Sequence, residues 1–181
     1  IYSILVRAGK MSRLVREPIF NPLTQATMSA KVPVQMDAWV VQDKRQATLV
    51  RLDTSKIGPK EILVKVLSVG LSPADWKHLD VLGVKGTILG SDFVGTVADK
   101  GAECESDLKL GERVAGWVHG AIHDGIGAFA EYLKTSPDSV IRVPDNVNDS
   151  LAAGLGITLV PASVQRLHRD DIGYCTLIDS Q

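Results

Sequence analysis

ILVKVLSVGLSPADWKHLDVLGVKGTILGSDFVGTVADK, residues 62–100, is the stretch that decides the fold. Ile62 to Leu71 alternates β-branched residues in the pattern IxVxV, which predicts a strand with one face in a core. Gly58-Pro59 supplies the turn before it, and Ser72-Pro73 stops it. Ala74 to Val81 then reads as a short helix. Leu89 to Lys100 is β-rich again but holds Gly90 and Gly95. Glycines inside a strand mark a bulge or a close approach of two backbones.

The pattern extends in both directions. Upstream, Asp37 to Gln42 is a short apolar strand, and Thr48 to Leu52 pairs with it across the polar turn Asp43 to Gln46. Downstream, the turn Leu110-Gly111-Glu112-Arg113 leads into a strand from Val114 to Val118. A glycine-rich loop runs from Gly116 to Gly127. Two more strands follow, Ala128 to Lys134 and Val140 to Val143. Pro144 closes the run, and Asn148 to Leu159 reads as a helix with Asp149 or Ser150 as its N-cap. Many short strands and few helices predict a mainly β domain with short helices, a closed or partly open antiparallel barrel.

Composition agrees with one globular domain. The 181 residues are 45% hydrophobic and 23% charged, with a net charge of -1. That balance offers no basic surface for nucleic acid and no pull toward anionic lipid. No apolar run approaches the roughly 20 residues of a membrane-spanning helix. Cys104 and Cys175 are the two cysteines, too few for a four-cysteine zinc lobe. Free thiols in a reducing compartment, a cytoplasmic location, are the expectation.

Residues 1–35 differ in kind. Arg7, Lys10, Arg13, Arg16 and Lys31 stand against a single acid, Glu17. A mitochondrial leader has such a composition. The periodicity of a transit helix is poor, so a disordered extension ahead of Met28 or Met36 is the favoured reading. Ile1 is not an initiator, which suggests a fragment or an upstream translation.

Five segments together resemble a known family: VKVLSVGLSPADWKHL (64–79), LGSDFVGTV (89–97), LKLGERVAG (108–116), GAFAEYL (127–133) and VPDNVNDSLAAGLGITL (143–159). In order and spacing they are similar to the GroES-like barrel domain of the medium-chain dehydrogenase/reductase superfamily. Within it they look most like fungal trans-acting enoyl reductases and zinc-free quinone oxidoreductases. The resemblance covers Met36 to Leu159 and implies a domain at 36–160.

It also carries site expectations. Zinc-dependent relatives place a ligand cysteine three residues before an aspartate; here Ser72 stands there, ahead of Asp75. They place a second ligand in Gly-His-Glu; here the triplet is Gly90-Ser91-Asp92. A hydroxyl is a poor Zn²⁺ ligand beside thiolate and imidazole, so no metal is expected. The Pro-x-Asp-Trp-Lys pattern, Pro73 to Lys77, is typical of the zinc-free reductases. The resemblance implies that Ser72, Pro73, Asp75, Trp76 and Lys77 border the cofactor. Lys77 and Thr158 are the catalytic candidates; at Lys77 an ammonium can bind ribose hydroxyls and stabilise a developing enolate. Its plain alternative is a solvated surface lysine. Asp75 could cap the helix, and Trp76 is expected in the core or walling the cleft. Asp92 could pair with a cation or cap a bulge. Thr158 stands where the family's threonine nears the nicotinamide, against a helix-interior threonine bonded to a carbonyl.

Two signals mislead. Gly125 to Ala130 spells G-x-G-x-x-A, but a polar HGAIHD precedes it and a β-like AFAEYL follows. A phosphate-binding turn needs a buried strand before it and a helix after. His119, His123 and Asp124 have metal-like spacing only on a helix, and this segment is loop. Either histidine could donate a proton at the cleft; a surface role is the stronger alternative.

After Thr158 the family continues into a Rossmann domain that supplies most cofactor contacts. Here Pro161 interrupts, and 161–181 is a divergent tail with no βαβ unit of sufficient length. The expectation is a GroES-like barrel without the Rossmann domain. Function by resemblance is NADPH-dependent reduction of an activated C=C bond in a small-molecule or acyl-carrier-bound enoyl substrate, with a polyketide synthase as partner. Little activity is expected of the chain alone. The alternative is a non-catalytic binding or interaction module.

Overall fold

The computed structural model describes residues 3–4, 32–43 and 45–157. Its elements are β1 (Ser3–Ile4), β2 (Gln35–Asp43), β3 (Gln46–Asp53), β4 (Ile62–Gly70), α1 (Pro73–Lys77), a π-helical turn (His78–Leu82), β5 (Asp92–Lys100), β6 (Arg113–Trp117), β7 (Tyr132–Thr135), β8 (Val140–Arg142) and α2 (Asp149–Ala153). The fold is mainly β with short helices, and the two sheets do not close on each other.

The larger sheet runs β1-β4-β5-β6-β8, with β7 also on β4, and all its pairings are antiparallel. β2 and β3 form the smaller sheet as the expected hairpin, with Val40 opposite Thr48. Bridges Ala38–Ala130 and Val40–Ile88 tie the hairpin to the rest. The main core lies inside the larger sheet, where Ile62, Val64, Val69, Phe93, Val97, Val114 and Leu133 meet. A second cluster of Met36, Ala38, Val40, Ile88 and Tyr132 seals the hairpin.

β5 begins at Asp92 rather than Leu89, so Gly95 lies inside it and Gly90 ahead of it, and both glycines are explained by close approach. A Cβ on Gly95 would run into the Lys65 carbonyl of β4, and one on Gly90 into the Phe129 ring. Gly90 also has φ +98°. The β4–β5 register shifts twice, between Leu63 and Val64 and between Val66 and Ser68.

Several expectations need correction. The helix read at Ala74–Val81 begins one residue earlier, because Pro73 fits the first turn, and becomes π-helical at His78. The strand read at 128–134 is confined to Tyr132–Thr135. α2 is capped by Asn148, whose side chain accepts from Leu151 N, rather than by Asp149 or Ser150. Trp76 is 59% exposed and is no part of the core. Leu151 is 58% exposed, while Ala152 and Ala153 are buried. The tail 161–181 and most of 1–35 lie outside the described residues.

Candidate functional site

The sequence Ser-Pro-Ala-Asp at 72–75 builds a complete capping box. Ser72 Oγ accepts from Ala74 N at 3.0 Å, and Asp75 Oδ2 accepts from Ser72 N at 2.8 Å. This fixes α1 at the end of β4 and points Trp76 and Lys77 outward. The other Asp75 oxygen, Oδ1, takes the hydroxyl of Ser91 at 2.8 Å. Both serines at the zinc-ligand positions are therefore joined through one carboxylate. Asp75 and Ser91 are buried. Burial raises the Asp75 pKa, opposed by the bonds from Ser72 and Ser91 and by the positive charge of His78.

Asp92 follows in β5 and is 4% exposed. Its Oδ1 accepts from Ile157 N at 2.6 Å. A Cβ on Gly156 would collide with that carboxylate, so only glycine lets the turn after α2 seat on it. Burial raises the Asp92 pKa to about 6; the Ile157 bond opposes this and the charge of Asp75 adds to it. Neither expectation for Asp92 describes this. It pairs with no cation among the described residues; it fastens a backbone 65 residues away.

Lys77 is exposed, with Nζ 5.7 Å from the Trp76 ring centre. Trp76, Leu79, Asp80 and Arg45 line a surface hollow of about 340 Å³ beside it. Arg45 pairs with Asp80 at its rim. A larger hollow of about 850 Å³ lies elsewhere, lined by Lys60, Glu103, Glu105 and Arg142 among others, and shares no residue with the cluster. Pro73 is exposed, whereas the polar side-chain atoms of Ser72 and Asp75 are taken up by the cap and by Ser91. Thr158 lies outside the described residues.

The glycine-rich loop returns to this region. His119 is edge-on to Trp117, with ring centres 4.6 Å apart, and 6.1 Å from the His78 ring. His78 Nδ1 reaches the Gly120 carbonyl at 3.1 Å. His119 and His123 stand out in the sequence by their spacing; His78 carries no such signal, because its partner is 42 residues away. The G-x-G-x-x-A segment is a loop leading to the bridge at Ala130, with Gly127 packed on the Ile88 backbone. Among the described residues no three or more His, Cys, Asp or Glu side chains gather as a metal site. No helix of the described residues is long and apolar enough to cross a membrane.

Residues 58–145 match the alcohol dehydrogenase GroES-like domain. A trans-enoyl reductase of Penicillium crustosum is 40% identical over 113 residues, 61% of this chain and 31% of that protein. One from Aspergillus niger is 37% identical over 136 residues, 74% of this chain and 37% of that protein. The quinone oxidoreductase of Coxiella burnetii superposes with a TM-score of 0.64 at 25% identity, over 76% of this chain and 46% of that one. The chain thus spans about a third of the length of the curated relatives it matches.

Proposed function

We propose that this chain, which carries the GroES-like domain of the medium-chain dehydrogenase/reductase superfamily, forms the substrate-side wall of an NADPH-dependent reductase of activated C=C bonds. The observation that carries this reading is the exposed Lys77 ammonium on a five-residue helix locked by Ser72, Asp75 and Ser91. The capping box fixes the backbone from which the Lys77 side chain projects, so the ammonium, a group suited to electrostatic stabilisation, is delivered from a defined point. The 40% and 37% identity to trans-enoyl reductases supports an enoyl substrate.

The residues present fit a nicotinamide nucleotide in part. Lys77 offers donors for ribose hydroxyls or a substrate carbonyl, and Trp76 and Pro73 offer apolar contact. Ser72 and Asp75 act through the scaffold. NADPH, when bound, supplies the hydride. Thr158 is proposed on the nicotinamide side, by resemblance. A metal-free site is supported by the donor set, since the hydroxyls of Ser72 and Ser91 are both engaged in hydrogen bonds. A conjugated enoyl thioester on an acyl carrier of a polyketide synthase is the proposed natural substrate.

The test is an exchange. The aligned 136-residue stretch of the Aspergillus niger relative is replaced by that of this chain. NADPH oxidation is followed with an enoyl thioester. Turnover that falls at least tenfold in Lys77→Met with an unchanged melting temperature is expected. A folded chimera that binds NADPH without reducing the thioester overturns the reading in favour of a binding module.

A further inference from the structure

One group with proton-transfer chemistry stands beside Lys77 and has no assigned role. His78 ends α1 and opens the π-helical turn. Its Nδ1 lies 3.1 Å from the Gly120 carbonyl oxygen. A carbonyl oxygen can only accept, so Nδ1 carries hydrogen and donates. When the ring is neutral, Nε2 is then the basic nitrogen with the free lone pair. No other hydrogen bond to this ring occurs among the described residues.

The ring is half-buried, and its neighbours place it in the same wall as Lys77. His119 is 6.1 Å away, and Trp117 supports His119 edge-on. Trp117 in turn packs beside Gly156, in the turn that Asp92 fastens. The charged and titratable groups around His78 are Asp75 and Lys77 on α1, Asp80 with its partner Arg45, and His119 on the loop.

The geometry points to His78 as the proton donor to the substrate's α-carbon, an inference that rests on the reading above. Hydride addition at the β-carbon breaks the C=C π bond and leaves its electron pair as an enolate. The Nε2–H bond of the His78 imidazolium breaks, and the enolate pair forms the new C–H bond at the α-carbon as the carbonyl is restored. The ring is left neutral with hydrogen on Nδ1, held by Gly120, and Nε2 regains a proton from water. The bond to Gly120 thus confines proton traffic to one nitrogen. Lys77 is free to stabilise the enolate oxygen.

Two measurements test this. Long-range ¹H–¹⁵N spectra of the full chain at pH 8 are expected to show the Nδ1–H tautomer at His78; the Nε2–H tautomer overturns the proposal. In the chimera, His78→Asn keeps an amide donor toward Gly120 but cannot release a proton. Its kcat is expected to fall roughly 100-fold or more, the usual scale of general acid catalysis, with KM and melting temperature unchanged. A kcat within twofold of the parent, in an active parent, overturns this proposal alone. An inactive parent overturns the functional reading and this inference with it.

Discussion

Asp92→Asn separates the two jobs of a buried carboxylate. In the wild type Asp92 accepts the Ile157 N–H while buried, and its pKa is raised from 3.8 to about 6. A raised folded-state value means that the folded form holds the proton more tightly than the unfolded form. The associated stability is full below about pH 4 and is lost as pH rises through about 6. A shift of about two units corresponds to on the order of 3 kcal/mol. Asparagine keeps the acceptor and removes the charge, so its curve lacks this loss. Its buried NH₂ costs about 1–3 kcal/mol if unpaired, so absolute stability at one pH decides little. The difference between the two curves is the clean observable. Urea denaturation at steps from pH 4 to 8 is expected to show wild type losing up to that 3 kcal/mol relative to Asp92→Asn. At about 2–4 °C per kcal/mol, this is a divergence of several degrees in melting temperature. The exposed acids Asp107 and Glu112, lowered through Arg142 and the Lys109 amide, act in the opposite direction but equally in both proteins. Parallel curves across that range would refute the reasoning.

Other substitutions probe the frame around the site. Phe93→Ala empties a fully buried position in the main core and is expected to cost about 3–5 kcal/mol, read by urea denaturation at pH 7. Ser91→Ala removes the hydroxyl from Asp75, raising that carboxyl's pKa further and costing about 1.5–3 kcal/mol at neutral pH; the loss should shrink on acidification. Gly95→Ala pushes a methyl into the Lys65 carbonyl, so the β4–β5 pair must separate; hydrogen exchange along the β4–β5 ladder should quicken. In the chimera, zinc analysis after purification should find no stoichiometric metal.

What was legible in the sequence is what depends on neighbours in the chain. The hairpin at 35–53 shows itself by alternation and a polar turn. The glycines at 90 and 95 announce close contacts, though not with which partner. The core reading of Trp76 fails because nothing in a five-residue helix says which side faces the sheet. Its neighbour Asp75 takes the inward side and leaves the indole outside. The bonds that make the site were illegible for one reason: they join distant residues. Ser91 to Asp75 spans 16 residues, His78 to Gly120 spans 42, and Asp92 to Ile157 spans 65.

Two of those bonds converge on one dipeptide. Ser91 holds α1 through Asp75, and Asp92 holds the turn after α2 through Ile157. In an extended strand, successive side chains point to opposite faces. A Ser-Asp pair at the start of β5 can therefore grip two elements at once, one from each neighbour. The grip depends on leaving two acids in the interior with pKa values raised by burial, the charge of Asp75 adding to the rise at Asp92. A hydrophobic pair would pack more cheaply, but it would offer no acceptor to the Ser72 and Ile157 amides, and unpaired buried amides cost about 1–3 kcal/mol each. Hydrogen bonds from hydroxyl and backbone donors hold this stretch of chain. Loss of the Asp75 acceptor should therefore loosen α1 and move Lys77 and His78 together, whereas loss of Asp92 should loosen the turn at Ile157 and leave α1 in place. Amide exchange at Ala74 and Ile157 in Asp75→Ala and Asp92→Ala distinguishes these responses, and equal loosening of both sites in either variant would show that the dipeptide does not act as two separate grips.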